Sequence, residues 1–341
     1  MALAQLANTL LPFLALAALM LWGVSRGWWP LLLLSVPTGG LLVRLFIFQH
    51  DCGHGSFLRT RAANDRLGQA LSLLTVTPYG CWRRAHALHH ATTGNLGKRG
   101  TGDILTLTVR EYRARSRWGR LIYRAYRNPL LLVLVGSPLN FLVLQRLPGG
   151  MGLPWRMAWR EVCLLNLALV VLVAALAWVV GGVGTVLLVA VPTISVAAWV
   201  GGWLFFVQHQ HEGAVWEDPG SWDFHRAALA GSSYYCLPRP LQWLTGNVGL
   251  HHVHHLNSRI PNYRLQECLD GHEALGRLGR LTLAGSFRCS RLALWDEDAR
   301  RLVGFAAARG TGPAPIGSAP IGSAPNRSAH APDHGASAYR L

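Results

Sequence analysis

Long apolar stretches alternate along this chain with shorter polar ones, and their lengths predict helices that cross a bilayer. About 20 apolar residues span the hydrocarbon core as a helix. Four stretches meet that length, at about 6–24, 29–48, 162–180 and 183–207. A fifth, 129–147, is apolar but carries Pro138 and Asn140 near its middle, which suits an interfacial or re-entrant segment better than a span. Parity agrees, because the second and fourth spans end on the same side only if an even number of spans separates His50 from His209. The expected fold is therefore all-α and integral to a membrane. Four transmembrane helices are expected to carry a helical cap on the cytoplasmic side.

Composition sharpens this reading. Hydrophobic residues make up 51% of the 341, and charged residues only 14%, against about a quarter in an ordinary soluble protein. The formal charge of +16 would suit nucleic acid, but the arginines sit beside apolar spans, as in loops that face anionic lipid headgroups. Nucleic acid is therefore not an expected partner; the lipid bilayer is. Arg59, Arg61, Arg66, Arg83, Arg84, Lys98, Arg99 and a run over 110–127 fill the loop between the second and third spans. The turn at 181–185 carries no charge. By the positive-inside rule the arginine-rich loop and both termini are cytoplasmic, with Arg26 the one exception. Six cysteines without a CxxC pair point to reduced thiols. Residues 1–27 lack the basic start of a signal peptide and read as a retained first span. The membrane domain is expected over 1–310. The remainder, 311–341, repeats Ala-Pro-Ile-Gly-Ser and is expected to be disordered, with His330 and His334 incidental.

The chemistry lies in the histidines. Most of the fifteen fall into four clusters: His50 with His54; His86, His89 and His90; His209 and His211 leaving the fourth span; and His251, His252, His254 and His255. Residues at i, i+3 and i+4 share one helical face. His50 and His54 thus point together, as do His86, His89 and His90, and as do His251, His254 and His255. His252 is turned about 100° off that face. His209 and His211 stand about 200° apart on a helix and do not both face one centre. His225 and His272 stand alone and read as ordinary histidines. Many imidazoles with no thiolate at ligand spacing argue against a structural zinc site. Eight or nine neutral nitrogens suffice for two metals with open positions, so the cytoplasmic helical cap is expected to carry a di-metal site, but imidazole suits iron, copper, zinc and nickel alike.

The flanks of these clusters are similar to a known family. His50-Asp-Cys-Gly-His54-Gly-Ser, His86-x-x-His89-His90 and Gly246-Asn-Val-Gly-Leu-His-His-Val-His-His255 resemble the membrane fatty acid desaturases. The likeness is greatest to the bacterial and plastid acyl-lipid type acting at the Δ12 or ω-6 position. It implies two non-haem irons, O2, and two electrons from ferredoxin or a similar carrier. The substrate would be a fatty acyl lipid or acyl thioester, and the bacterial inner membrane is the expected location. By position it implies His50, His54, His86, His89, His90, His251, His254 and His255 as ligands, and His209 as the ninth. His211 is then expected beside the site or facing solvent. Carboxylates should orient the ligating imidazoles, with Asp51, Asp103 and Glu212 as the candidates. Asn247 would hold a water near a metal, or serve as a plain capping amide. Trp82, Trp216 and Trp243 are candidates for an acyl tunnel or for an interfacial belt.

Two other readings share parts of this pattern. A related di-iron hydroxylase or ketolase of a carotenoid, sterol or alkane would have the same ligands, and its product would carry oxygen. A histidine-rich metal transporter would place ionisable groups near the midplane of its spans, whereas here they gather at one end.

Overall fold

The computed structural model describes residues 1–100, 102–147 and 154–309. Its first helix, α1 (Ala2–Ser25), leads through a 3-10 turn at Trp29–Leu34 into α2 (Ser35–His54). The helix α2 lies at the centre of the bundle, with Leu45, Phe48 and Cys52 wholly buried. It ends at Gly55 in the left-handed conformation (φ 74°), a backbone state that glycine adopts without a Cβ penalty. The chain reverses there. Thr60 accepts from the Ala63 N–H to cap α3 (Arg61–Thr75), and α4 (Tyr79–Thr92) returns toward the end of α2. The side-chain amide of Gln49 fastens this reversal, donating to the Gly68 carbonyl at 3.1 Å and to Ser72 Oγ at 3.0 Å.

Two shorter helices follow: α5 (Val109–Ala114), closed by a Thr108–Glu111 capping box, and α6 (Arg117–Tyr126), capped by Ser116. The apolar fifth segment is broken. It runs as a π-helical turn at Leu131–Gly136, then α7 (Ser137–Leu142), then a 3-10 turn at Leu144–Arg146. With α6 it forms a helix pair bent by 69°. Trp199 Nε1 donates to the Leu134 carbonyl and holds the segment against the bundle. The last two long helices are α8 (Trp155–Val180) and α9 (Val183–His209), joined by Gly181 at φ 82°.

Among the described residues four single helices are long and apolar enough to cross a membrane, Ala2–Ser25, Trp29–His54, Trp155–Val180 and Val183–His209, and the bent pair would make a fifth only if taken as one span. They coincide with the four expected spans and extend past most of their ends. The second and fourth run on to His54 and His209, so the histidines prolong the spans as helix.

After α9 the chain forms α10 (Phe224–Ala230), α11 (Arg239–Leu244), which packs beside α2 at Gly40 and Arg44, and α12 (His251–Leu256). Short strands add to the expected all-helical cap. Leu107–Thr108 pairs in parallel with Leu294–Asp296, which pairs antiparallel with Arg301–Val303. Tyr234–Cys236 pairs in parallel with Arg280–Thr282. Strands of two or three residues were too short to leave a period in the sequence. A buried guanidinium, Arg127, joins the end of α6 to the segments after α9: it donates to Gln210 Oε1 at 2.7 Å and to the Leu292 carbonyl at 3.0 Å. The expected tail at 311–341 lies outside the described residues.

Candidate metal centre

Four helices bring nine imidazoles to one place: α2 supplies His50 and His54, α4 supplies His86, His89 and His90, α9 ends on His209, and α12 carries His251, His254 and His255. The nine divide into two groups. His50, His54, His86, His90 and His254 form one; His89, His209, His251 and His255 form the other. Within each group the ligand atoms all lie within 4.8 Å of one another. Both clusters of the HxxHH pattern are thus shared between groups, because i and i+4 go one way in α4 while i+3 goes the other.

The imidazoles meet tip to tip. Nε2 of His90 stands 3.1 Å from that of His86 and 3.1 Å from that of His254. In the other group His209 Nε2 is 3.2 Å from His89 Nε2 and 3.0 Å from His251 Nε2. His50 Nε2 and His54 Nε2 are buried with no hydrogen-bond partner. Carboxylates set the tautomer of two of the nine rings. His50 Nδ1 donates to Asp51 Oδ1 at 3.0 Å, and His89 Nδ1 to Asp103 Oδ1 at 2.5 Å. A neutral imidazole that donates from Nδ1 presents a bare lone pair at Nε2. Several lone pairs converging in a buried volume repel unless a cation lies among them. Two nitrogens bound at right angles to one ion, with bonds of about 2.1 Å, stand about 3.0 Å apart. The donor set therefore fits two metal ions.

Burial keeps these rings neutral, as metal ligands must be. His86, His90, His251, His254 and His255 are all pushed well below the usual histidine range, first by burial and then by repulsion from neighbouring rings. Asp51 also ties the centre to a distant loop, since its Oδ2 accepts from the Asn262 N–H at 2.7 Å and from Asn262 Nδ2 at 2.9 Å. Asn262 lies in a stretch, Arg259-Ile-Pro-Asn-Tyr263, that resembles the family, but the sequence assigned it no role. Asp103 reaches His89 because Gly102, at φ 72°, lets its loop pass α4; a Cβ there would stand 3.1 Å from both the Ala85 carbonyl and the His89 side chain.

Other expected residues fall elsewhere. Glu212 is exposed, with no hydrogen bond or ion pair to any of the nine histidines among the described residues. The expectation that it orients an imidazole is corrected: α9 ends at His209, and the following turn carries Glu212 outward. Asn247 sits in a left-handed turn (φ 56°), and its amide donates to the Asn262 carbonyl at 2.9 Å. His211 is buried rather than solvent-facing, lies outside both groups, and has an unpartnered Nε2. Burial alone lowers its pKa to about 4. His252 turns away and faces the Leu275 carbonyl at 3.0 Å, while His225 and His272 are exposed.

A cavity of about 620 Å³ opens beside the histidines between α2, α4, α9 and the broken segment. His50, His86 and His251 stand on its wall, and Phe46, Phe141, Ala197 and Phe205 make most of the remainder apolar. Trp82 lines it too, stacked on His86 with ring centroids 4.6 Å apart. Trp216 and Trp243 do not line it. The first packs in a cluster with Trp295, and the second lies half-exposed beneath the Arg44 guanidinium.

Comparison with known proteins agrees with this geometry. The fatty acid desaturase family model matches residues 26–283. The chain is 42% identical to a fatty acid desaturase of Bacillus subtilis, over 90% of this chain and 86% of that one. It is 26% identical to an sn-1 oleoyl-lipid 12-desaturase of Anabaena variabilis, over 72% of this chain and 69% of the relative. It is also 26% identical to an sn-1 acyl-lipid omega-3 desaturase (ferredoxin) of Synechocystis sp., over 68% and 64% respectively.

Proposed function

The chain belongs to the fatty acid desaturase family, and from that premise we propose that it desaturates the acyl chain of a membrane lipid, using O2 at two irons held by the nine converging histidines. One iron would be held by His50, His54, His86, His90 and His254, and the other by His89, His209, His251 and His255. The observation that carries this reading is the meeting of unpartnered nitrogens of His50 and His251 with the wall of a mostly apolar cavity. When bound, two irons supply the reductive activation of O2 needed to remove hydrogen from an unactivated methylene. Overall, a CH2–CH2 pair, O2, two electrons and two protons become a CH=CH unit and two waters.

The protein's own contribution is placement and exclusion. Asp51 and Asp103 hold the Nδ1 protons of His50 and His89, which keeps each Nε2 free and its ring fixed. The apolar cavity wall admits an alkyl chain and keeps water from it. Trp82, stacked on His86, narrows the space beside the histidines. The acyl-lipid carrier is favoured by relatives whose names specify acyl-lipid substrates. One of those is also named for ferredoxin, which supports a separate acidic electron carrier here. The arginine-rich loop supports a cytoplasmic site in the inner membrane of a bacterium, with a membrane domain over 1–310.

The test is expression of the full chain in a host that lacks it, with gas chromatography–mass spectrometry of the acyl chains, alongside metal analysis of protein purified in mild detergent. New olefinic chains and close to two irons per chain are expected. Oxygenated lipid in place of olefin, or one zinc with activity retained, would overturn the reading.

A further inference from the structure

We propose that α6 lies in the headgroup layer of the bilayer and holds the anionic headgroup of the lipid whose acyl chain enters the cavity. The proposal rests on the acyl-lipid reading above and adds to it a site of entry and a headgroup preference. It comes from the three faces of one short helix.

The inward face is fixed by Tyr123, which is 4% exposed. Its hydroxyl donates to the Ala293 carbonyl at 2.8 Å and accepts from the Leu107 N–H at 2.9 Å. That anchor sets the rotation of the helix. A second face then carries Trp118, Leu121 and Ile122 at i, i+3 and i+4, and they are 62%, 54% and 68% exposed. Three large apolar side chains side by side form a patch that water does not favour and the acyl boundary of a bilayer does. The third face is basic, with Arg117, Arg120 and Arg124 at i, i+3 and i+7. Among the described residues none of these three forms an ion pair. Arg124 donates from Nε to the Tyr112 hydroxyl at 2.6 Å, Arg120 lies 3.4 Å from the Arg113 carbonyl, and the Arg117 guanidinium rests over the Trp118 ring. Arginines flanking an exposed apolar face are the pattern of a helix lying on an anionic membrane surface.

Continuity with the cavity gives this surface a purpose. Ala125 and Tyr126, at the end of α6, line the cavity, as does Leu131 just beyond. Leu130, Leu131 and Leu134 continue the exposed apolar surface at 66%, 48% and 48%. A lipid with its phosphate among the arginines therefore meets the cavity wall with its acyl chain. An acidic protein would satisfy the arginines and leave Trp118, Leu121 and Ile122 uncovered. The bilayer accounts for both faces.

The experiment places the full chain in nanodiscs of phosphatidylcholine, with and without phosphatidylglycerol. It follows hydrogen exchange over residues 117–126 and desaturation of each lipid. We expect slower exchange when phosphatidylglycerol is present. That gain should vanish in the triple variant Arg117→Gln, Arg120→Gln, Arg124→Gln and persist in the matching triple Lys variant. The phosphatidylglycerol-to-phosphatidylcholine product ratio should fall by at least about fivefold in the Gln variant. Exchange that ignores lipid charge would overturn the proposal. So would protection that appears only on adding reduced ferredoxin. Charge-dependent protection without turnover of either lipid would support the headgroup contact and overturn the acyl-lipid reading.

Discussion

His209 and His211 stand two positions apart at the end of one helix and meet different surroundings. His209 faces His89 and His251, whereas His211 is buried outside both histidine groups. His209→Ala should lose about half the iron and all desaturation; His211→Ala should keep the iron, measured by metal analysis with product formation on each. Loss of iron from His211→Ala alone would reverse the assignment. At Asp103, replacement by Ala removes the acceptor that fixes the His89 proton, and metal affinity should fall about 10- to 100-fold, as for other partners of ligating histidines. Competition with a chelator of known affinity reads this directly. Gly201 offers a different probe: it lines the cavity, and a Cβ there would meet nothing within 4 Å. Gly201→Leu should fold normally yet shift the product profile toward shorter acyl chains by mass spectrometry. These residues differ in how visible they were. Asp51 adjoins His50 in sequence, and its role could be guessed from that. The contact from Asn262 crosses 211 positions and leaves no local pattern. Glu212 looked equivalent to Asp51 but is carried outward where α9 ends.

At the scale of elements, helical periodicity revealed which histidines share a face, and the face is real in both α4 and α12. What spacing does not encode is that one face can border two sites. In α4 the step from His89 to His90 is also the step between histidine groups, so the helix acts as a partition. An alanine inserted after Ala87 would rotate His89 and His90 by about 100° relative to His86. Both metals should then be lost, while far-UV circular dichroism stays unchanged; retained iron would show that α4 does not set the register. The four spans were legible because twenty apolar residues leave few other options. The broken segment was legible only in part. Pro138 marked an interruption, but the π-helical turn and the cavity it walls depend on contacts with α9 that a single segment does not carry.

For the whole molecule, the histidines couple stability to pH. In the unfolded chain they take up protons below about pH 6.5. In the folded chain His86, His90, His251, His254 and His255 remain neutral well below that. The unfolded state therefore binds more protons, and stability falls as pH drops below about 6.5 toward the folded-state values. Bound metal acts in the same direction, because its ligands must be deprotonated, and stabilises the folded chain by mass action. Thermal scans in detergent should give a lower Tm at pH 5.5 than at pH 7.5, and a further drop at both after chelation. A Tm that rises on acidification would contradict the buried, neutral state of these rings. The division of α4 and α12 between the two histidine groups has one more consequence, and it concerns the order of synthesis. Each group draws members from both α4 and α12, and α12 lies after the last span. A nascent chain that has delivered all four spans to the membrane still lacks part of both sites. On the proposed ligand set, loading with iron waits until the ribosome has passed residue 255, and a chain cut before α12 would insert yet remain metal-free.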